Sequence, residues 1–277
     1  MTDPIVALSH VAAGYGQRAL WNDLDLVVER GEFLVVLGAN GTGKTTLLRM
    51  LLGLQQPTAG EVHVLGRAPR RGDPHIGYLP QQHGFDEQLP LRGVDLIRLG
   101  LDGHRWGVPL RSNNTRARVA AALADVGANS YANQAIGRLS GGEQQRLRLA
   151  QALVADPVLL LADEPLLSLD PAAQQAVAAL LDQRRTSKGT AVVLVTHEIN
   201  PLLPYADRVL YLANGQWAIG PTREVLTSET LTRLYGAPVD VLDIRGRLII
   251  VGGDEASTGM PGDHPHHVHD DSGRHVH

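Results

Sequence analysis

Three runs of uninterrupted apolar residues, Phe33–Leu37, Val158–Ala162 and Ala191–Val195, stand out along the chain, each five residues long. Their length and continuity predict strands buried on both faces, as in a parallel sheet. Helical patterns lie between them, which predicts an α/β fold. The leucine-rich stretch Thr45–Leu54 reads as a helix that stops at Gly53. A second helix opens at Asp170-Pro171, an N-cap followed by a proline in the first helical position. It closes at Gly189, with Arg184, Arg185 and Lys188 placed favourably near its negative end. A third is expected from Gly141 to about Ala155. Between residues 86 and 137 the strand signal fades and Ala, Leu and Arg dominate, which predicts an inserted helical subdomain. The stretch Val239–Val251 alternates as strands do, with a turn expected at Arg245-Gly246, and forms a small appendage without an assigned function. There is no internal repeat.

Composition narrows the function classes. The 277 residues carry 25 Lys and Arg against 29 Asp and Glu, a net charge of −4, and the acidic excess sits in residues 254–277. A balanced body argues against a nucleic-acid partner held through phosphates. The absence of cysteine excludes disulfides, thiolate metal sites and cysteine nucleophiles, and fits a cytoplasmic protein. No apolar run approaches the roughly 20 residues of a spanning helix, and the first residues lack the pattern of a secretion signal. A soluble protein is expected. From Asp254 onward the chain is Gly, Pro, Ser, Asp and His with little to bury, so disorder is expected there. Six of the twelve histidines fall in this tail: His264, His266, His267, His269, His275 and His277. Interleaved with Asp263, Asp270 and Asp271, they suit Zn²⁺, Ni²⁺ or Cu²⁺ in a buffering or sensing role rather than a site of fixed geometry.

The chemistry concentrates in three motifs. Gly38-Ala39-Asn40-Gly41-Thr42-Gly43-Lys44-Thr45 follows the phosphate-loop pattern between a strand and a helix. Glycines let successive backbone N–H groups wrap a phosphate at a helix N-terminus. Lys44 is expected to reach the β- and γ-phosphates, and the Thr45 hydroxyl to coordinate Mg²⁺. Asp163-Glu164-Pro165 follows the second strand, on the edge where open α/β sheets bind ligands. Asp163 is expected to hold Mg²⁺ through a water, and Glu164 to polarise the attacking water. Finally, Leu139-Ser140-Gly141-Gly142-Glu143-Gln144 has capping-box spacing. Capping accounts for Ser140 and Glu143 but not for two successive glycines, which cost a helix about 1 kcal/mol each. Bare backbone at a positive helix end suits close approach to a phosphate.

Together, in this order over residues 4–220, these motifs resemble the nucleotide-binding subunit of ATP-binding-cassette (ABC) transporters. The resemblance implies an α/β phosphate-loop NTPase with a mostly parallel sheet, an N-terminal antiparallel β part and a helical subdomain inserted at about residues 86–154. Residues 221–253 would form the appendage and 254–277 the tail. It identifies Tyr15 with the aromatic that stacks on adenine and places Thr46 in the nucleotide site. Gln81 matches the glutamine joining the helical insertion, near catalysis and Mg²⁺. Asp170 matches the dimer-contacting loop and His197 the histidine at the γ-phosphate. It further implies ATP and Mg²⁺ as cofactors and a homodimer in which Ser140, Gly141, Gly142 and Glu143 complete the partner's site. Permease subunits would dock near residues 81–105, at the cytoplasmic face of the membrane. The stretches Phe85–Pro90 and Val94–Gly100 are similar to the permease-facing part of zinc and manganese importer ATPases. With the tail, they favour a divalent-metal importer, zinc first, served by an extracytoplasmic metal-binding protein. An ABC ATPase of another transporter, or one in cofactor assembly, stays open from sequence.

Overall fold

The computed structural model describes residues 3–16, 18–81, 86, 89–102 and 113–252. The six tail histidines lie outside these residues, as do residues 82–85, 87–88 and 103–105 of the stretch expected to face a permease. Strands β1 (Val6–Tyr15) and β2 (Arg18–Val28) pair antiparallel, and β3 (Phe33–Gly38) then leaves them to found a second sheet. Helix α1 (Lys44–Leu51) follows, and β4 (Ala59–Val64) returns to the free edge of β1, giving a three-stranded sheet of order β2-β1-β4.

β5 (Ile76–Leu79) precedes a helical excursion made of α2 (Gly93–Asp102), α3 (Asn113–Asp125) and α4 (Gly141–Leu153). The chain re-enters the sheet as β6 (Leu159–Asp163), crosses through α5 (Pro171–Lys188) to β7 (Ala191–Val195), and continues as β8 (Arg208–Ala213) and β9 (Gln216–Pro221). The resulting six-stranded sheet has order β5-β6-β7-β3-β8-β9, parallel throughout except for the antiparallel edge strand β9. Helices α6 (Thr222–Val225) and α7 (Ser228–Tyr235) lead to a terminal hairpin, β10 (Val239–Ile244) and β11 (Arg247–Gly252).

All three apolar runs are strands of this sheet, and every residue of β3, β6 and β7 is buried. Successive side chains alternate between faces. Leu34 and Val36 pack with α1 and the antiparallel sheet, whereas Phe33 and Val35 pack with α4, α5 and α7. The excursion has a small core of its own, in which Leu96 and Ile97 of α2 meet Val119 and Leu123 of α3 and Leu147 of α4. Leu149, two residues on, belongs instead to the core under the main sheet, so α4 fastens the two together. Arg184 adds a polar tie: from α5 it donates to the Leu153 carbonyl at the end of α4 and pairs with Asp156 and Asp125.

Several boundaries differ from the sequence expectation by one to three residues, two of them for identifiable reasons. The strand expected to end at Ala162 runs on through Asp163, because Asp163 still pairs with Val195 of β7. The helix expected to reach Ala155 ends at Leu153, three residues before Asp156 takes a left-handed φ of 52°. At the C-terminus the anticipated turn forms at Arg245 and Gly246, both with positive φ, as a two-residue hairpin connection requires. This hairpin shares the main core through Val239. Asn200 clamps it from the β7–β8 connection, its amide donating to the Leu248 carbonyl and accepting the Leu248 N–H. Among the described residues no helix is long and apolar enough to cross a membrane.

Asp73, in the turn before β5, gives a test of the folded state. Burial alone would push its carboxyl up, but the N–H and ring of His75 and the Arg67 guanidinium hold it down at about 2. A depressed carboxyl stabilises above its unfolded value, and that stability fades as pH falls from about 4 towards 2. Asp73→Asn is expected to cost about 2 kcal/mol at neutral pH. In denaturant titrations the gap between variant and wild type should close over that acid window; a pH-independent gap would refute the assignment.

Candidate functional site

Strands β6, β7 and β3 are neighbours and parallel, so their carboxyl ends open onto one edge of the sheet. Each delivers chemistry there: β3 runs into the phosphate loop, β6 ends in Asp163 before Glu164, and β7 leads through Thr196 to His197. This edge is where parallel α/β sheets hold ligands. A cleft of about 390 Å³ lies over it, lined by Tyr15, Asn40, Gly41, Gly43, Lys44, Thr45, Thr46, Gln81, Asp163 and Glu164. Arg18 and Leu20 also line it and were not anticipated; register explains Arg18, which pairs with Tyr15 across the first hairpin.

The loop's conformation depends on glycine at two points. A Cβ on Gly38 (φ 149°) would lie 2.3 Å from the Leu212 carbonyl oxygen. One on Gly43 (φ 98°) would lie 2.5 Å from Trp21 Nε1, in the buried layer beneath the loop. Thr42 closes the turn by donating its hydroxyl to the Ala39 carbonyl. The Lys44 ammonium donates to the carbonyls of Gly38 (2.6 Å) and Ala39 (2.9 Å) and forms no ion pair among the described residues. Burial pulls its pKa down, while the fields of Glu164 and Asp163 act the other way. A dehydrated ammonium without a paired anion is well prepared to receive a phosphate oxygen.

Thr45 donates its hydroxyl to Asp163 Oδ2 at 3.1 Å. Asp163 is 3% exposed, and burial raises its pKa, with neighbouring Glu164 pushing the same way and Thr45 and Lys44 opposing. These are hard oxygen donors on a carboxylate short of positive charge, a set that fits Mg²⁺. Gln81 adds an amide to the same cleft. It also lines an adjoining groove of about 510 Å³, shared with Thr45 and Asp163 and walled by Leu96 of α2 and Arg148 and Gln151 of α4.

Glu164 is nearly buried and held in a left-handed conformation (φ 49°), its N–H bonded to the Val195 carbonyl. Its Oε2 lies 3.0 Å from His197 Nδ1. Non-glycine residues in this region carry strain and mark sites where position matters. Tyr15 stands at the rim, about half exposed, its hydroxyl tied to Thr46 Oγ1 and donating to Gln55 Oε1.

The Ser140–Glu143 segment lies elsewhere and does not line the cleft. The capping box forms: the Glu143 N–H donates to Ser140 Oγ, and the Ser140 N–H and hydroxyl donate to Glu143 Oε2. A Cβ at Gly141 would meet nothing within 4 Å, and at Gly142 only Leu169, at 4.0 Å. Among the described residues nothing requires glycine at either position. Asp170 caps α5 by accepting the Ala173 N–H. The sequence reading missed Gln145, a fully buried amide that donates to the Pro165 carbonyl at 2.7 Å.

The profile of a family described as "ABC transporter" matches residues 21–167. The manganese transport system ATP-binding protein MntB of Bacillus subtilis is 34% identical over 86% of this chain and 94% of its own length. The zinc import ATP-binding protein ZnuC of Pseudomonas fluorescens is 31% identical over 99% of this chain and all of its own. Among solved structures, a metal-chelate-type ABC transporter in an inward-facing conformation contains a similar chain (TM-score 0.76, 28% identity, 90% of this chain and 96% of that one). The ATP-binding cassette MJ0796, solved as a post-hydrolysis dimer with ADP and Pi, is also similar (TM-score 0.65, 29% identity, 78% and 98%). A profile match over more than half of the sequence, joined to relatives aligned nearly end to end, makes this protein a member of the ABC transporter family, on its ATP-binding side.

Proposed function

We propose that this chain is the ATP-hydrolysing subunit of an ABC transporter that imports a divalent metal ion, zinc first and manganese second, through a partner permease. The observation that carries the ATPase half is the meeting of the Thr45–Asp163 and Glu164–His197 pairs beside the phosphate loop. The metal half is supported by relatives described as manganese and zinc transport subunits, one of them aligned along essentially the whole chain.

ATP binds with its base against Tyr15 and its phosphates in the amides of residues 38–46. Lys44 moves from the Gly38 and Ala39 carbonyls to the phosphate oxygens, exchanging two neutral acceptors for charged ones. Thr45 and Asp163, with Gln81 nearby, would hold Mg²⁺, which would supply positive charge to stabilise the phosphates during transfer. Glu164 orients the attacking water and takes up its proton, and His197, bonded to Glu164, holds that carboxylate in place and faces the γ-phosphate. Most of the rate comes from positioning and charge stabilisation, as is usual in phosphoryl transfer.

The second half of each site comes from a second copy. Two glycines that the chain's own packing leaves free, beside an exposed Ser140, support a surface meant for an external phosphate. In the resulting homodimer Ser140, Gly141, Gly142 and Glu143 meet the partner's nucleotide, and Asp170 lies at the dimer contact. The groove that shares Gln81 with the nucleotide cleft receives the permease, so transport and hydrolysis adjoin through that side chain. The subunit works at the cytoplasmic face of the membrane, and an extracytoplasmic protein supplies the metal.

Two measurements test this reading. Glu164→Gln is expected to lower ATP turnover by at least about a hundredfold. It should preserve ATP binding and accumulate an ATP-bound dimer in size-exclusion chromatography; turnover at the wild-type rate would remove Glu164 from catalysis. In cells lacking the gene, Zn²⁺ uptake measured with a radioactive tracer is expected to fall and to return with the wild-type gene but not with Glu164→Gln. Unchanged uptake of both Zn²⁺ and Mn²⁺ would rule out metal import.

A further inference from the structure

Gln145 belongs to the same helix that presents Ser140 and the two glycines, yet it points inward and is completely buried. An interior amide is costly unless bonded, and an interior carbonyl likewise. The Pro165 carbonyl is met here by Gln145 Nε2, which donates to it at 2.7 Å. Pro165 directly follows Glu164. The bond therefore joins α4 to the loop bearing the catalytic carboxylate with no flexible segment between them. Elsewhere among the described residues the loop is held by the Glu164 N–H to the Val195 carbonyl, by His197 to the Glu164 carboxylate, by the Leu167 N–H to the Glu164 carbonyl and by Gln174 to the Leu166 carbonyl at 3.4 Å, while Leu166 packs in the core under the main sheet. It also holds two non-glycine residues in left-handed conformations, Glu164 and Ser168, and such a backbone keeps its shape only when its surroundings dictate it.

In the dimer described above, the start of α4 serves the nucleotide bound by the partner, whereas Glu164 serves the nucleotide bound by its own chain. We propose that Gln145 is a positioning residue that couples the two ATP sites. Contact between the partner's nucleotide and the head of α4 is handed through the Gln145–Pro165 bond to the chain's own Glu164. Each site thereby adjusts the carboxylate of the other, and the coupling is reciprocal by symmetry. The inference rests on the dimer reading of the preceding section.

The test compares Gln145→Met, close in size but unable to donate, with Gln145→Glu in the full-length protein. Wild-type hydrolysis is expected to depend on ATP with a Hill coefficient above 1. In Gln145→Met the Hill coefficient should fall to 1 and kcat by about tenfold, one lost carbonyl partner, with the half-saturating ATP concentration within about twofold. Gln145→Glu carries a signature that loss of packing cannot produce. Protonated, its carboxyl donates an O–H to the Pro165 carbonyl; ionised, it repels it. Burial raises such a pKa, so the variant's kcat relative to wild type should be highest at low pH and decline as pH rises. If Gln145→Met does not fold, that pH profile alone decides. A wild-type Hill coefficient of 1 overturns the proposal. So does a Gln145→Met enzyme that keeps its cooperativity, or a Gln145→Glu profile parallel to wild type. ATP-dependent dimer formation by Glu164→Gln is scored separately: its failure removes the dimer reading, whereas its success with unchanged cooperativity in Gln145→Met removes only the coupling.

Discussion

Lys44, Asp163 and Glu164 bring one positive and two negative charges into a nearly buried cleft, and none of the three is paired with another at contact distance. Burying charge without a close counterion is expensive, and direct pairing is the usual remedy. Here each charge is instead held off by a neutral or weakly basic partner: Lys44 by two carbonyls, Asp163 by the Thr45 hydroxyl, Glu164 by His197. Much of the fold serves to sustain that separation. Adjacent parallel strands fix the roots of the side chains, the Gly38 and Gly43 contacts fix the loop, and a strained backbone fixes the glutamate. A substrate bringing phosphate and a divalent cation supplies the missing counter-charges, so the unpaired state amounts to preorganisation.

Much of this was legible in the sequence. The glycine spacing and Lys44 announce a phosphate loop because few arrangements put so many backbone N–H groups at one point. Asp163 declares itself by following an apolar run, although its own place in the strand does not show, since an acid is not read as a strand residue. The hairpin turn at Arg245-Gly246 is legible through its glycine and the flanking alternation. What escaped notice was long-range. Gln145 sits in a helix rich in Gln and Arg and looks like a solvated side chain; only its contact with a residue twenty positions away reveals it as interior. Nothing local to Trp21 tells that the loop rests on it. Arg18 enters the cleft through strand register alone.

The capping box shows why a bland and a functional explanation need not compete. Ser140 and Glu143 satisfy each other and the first turn of α4, which accounts for both side chains. The two glycines remain unaccounted for by the fold, because the space around them would admit a methyl group. A cap built from side chains and a bare backbone behind it make a helix end that is stable by itself and still open to a ligand. The asymmetry between what folding needs and what is present is informative exactly where propensity alone would have chosen alanine.

The clamp of Asn200 on Leu248 changes how the end of the described chain should be regarded. Asn200 follows His197 by three residues, and its amide nitrogen and oxygen are both engaged by the backbone of one residue of the last strand, Leu248. The terminal hairpin is thus a strut braced against the segment that leaves the active edge, rather than an ornament hung from α7. Evolutionary lengthening at its tip, beyond Ile244, leaves that brace untouched, whereas erosion from the carboxyl end reaches Leu248 first and slackens the stretch behind the histidine.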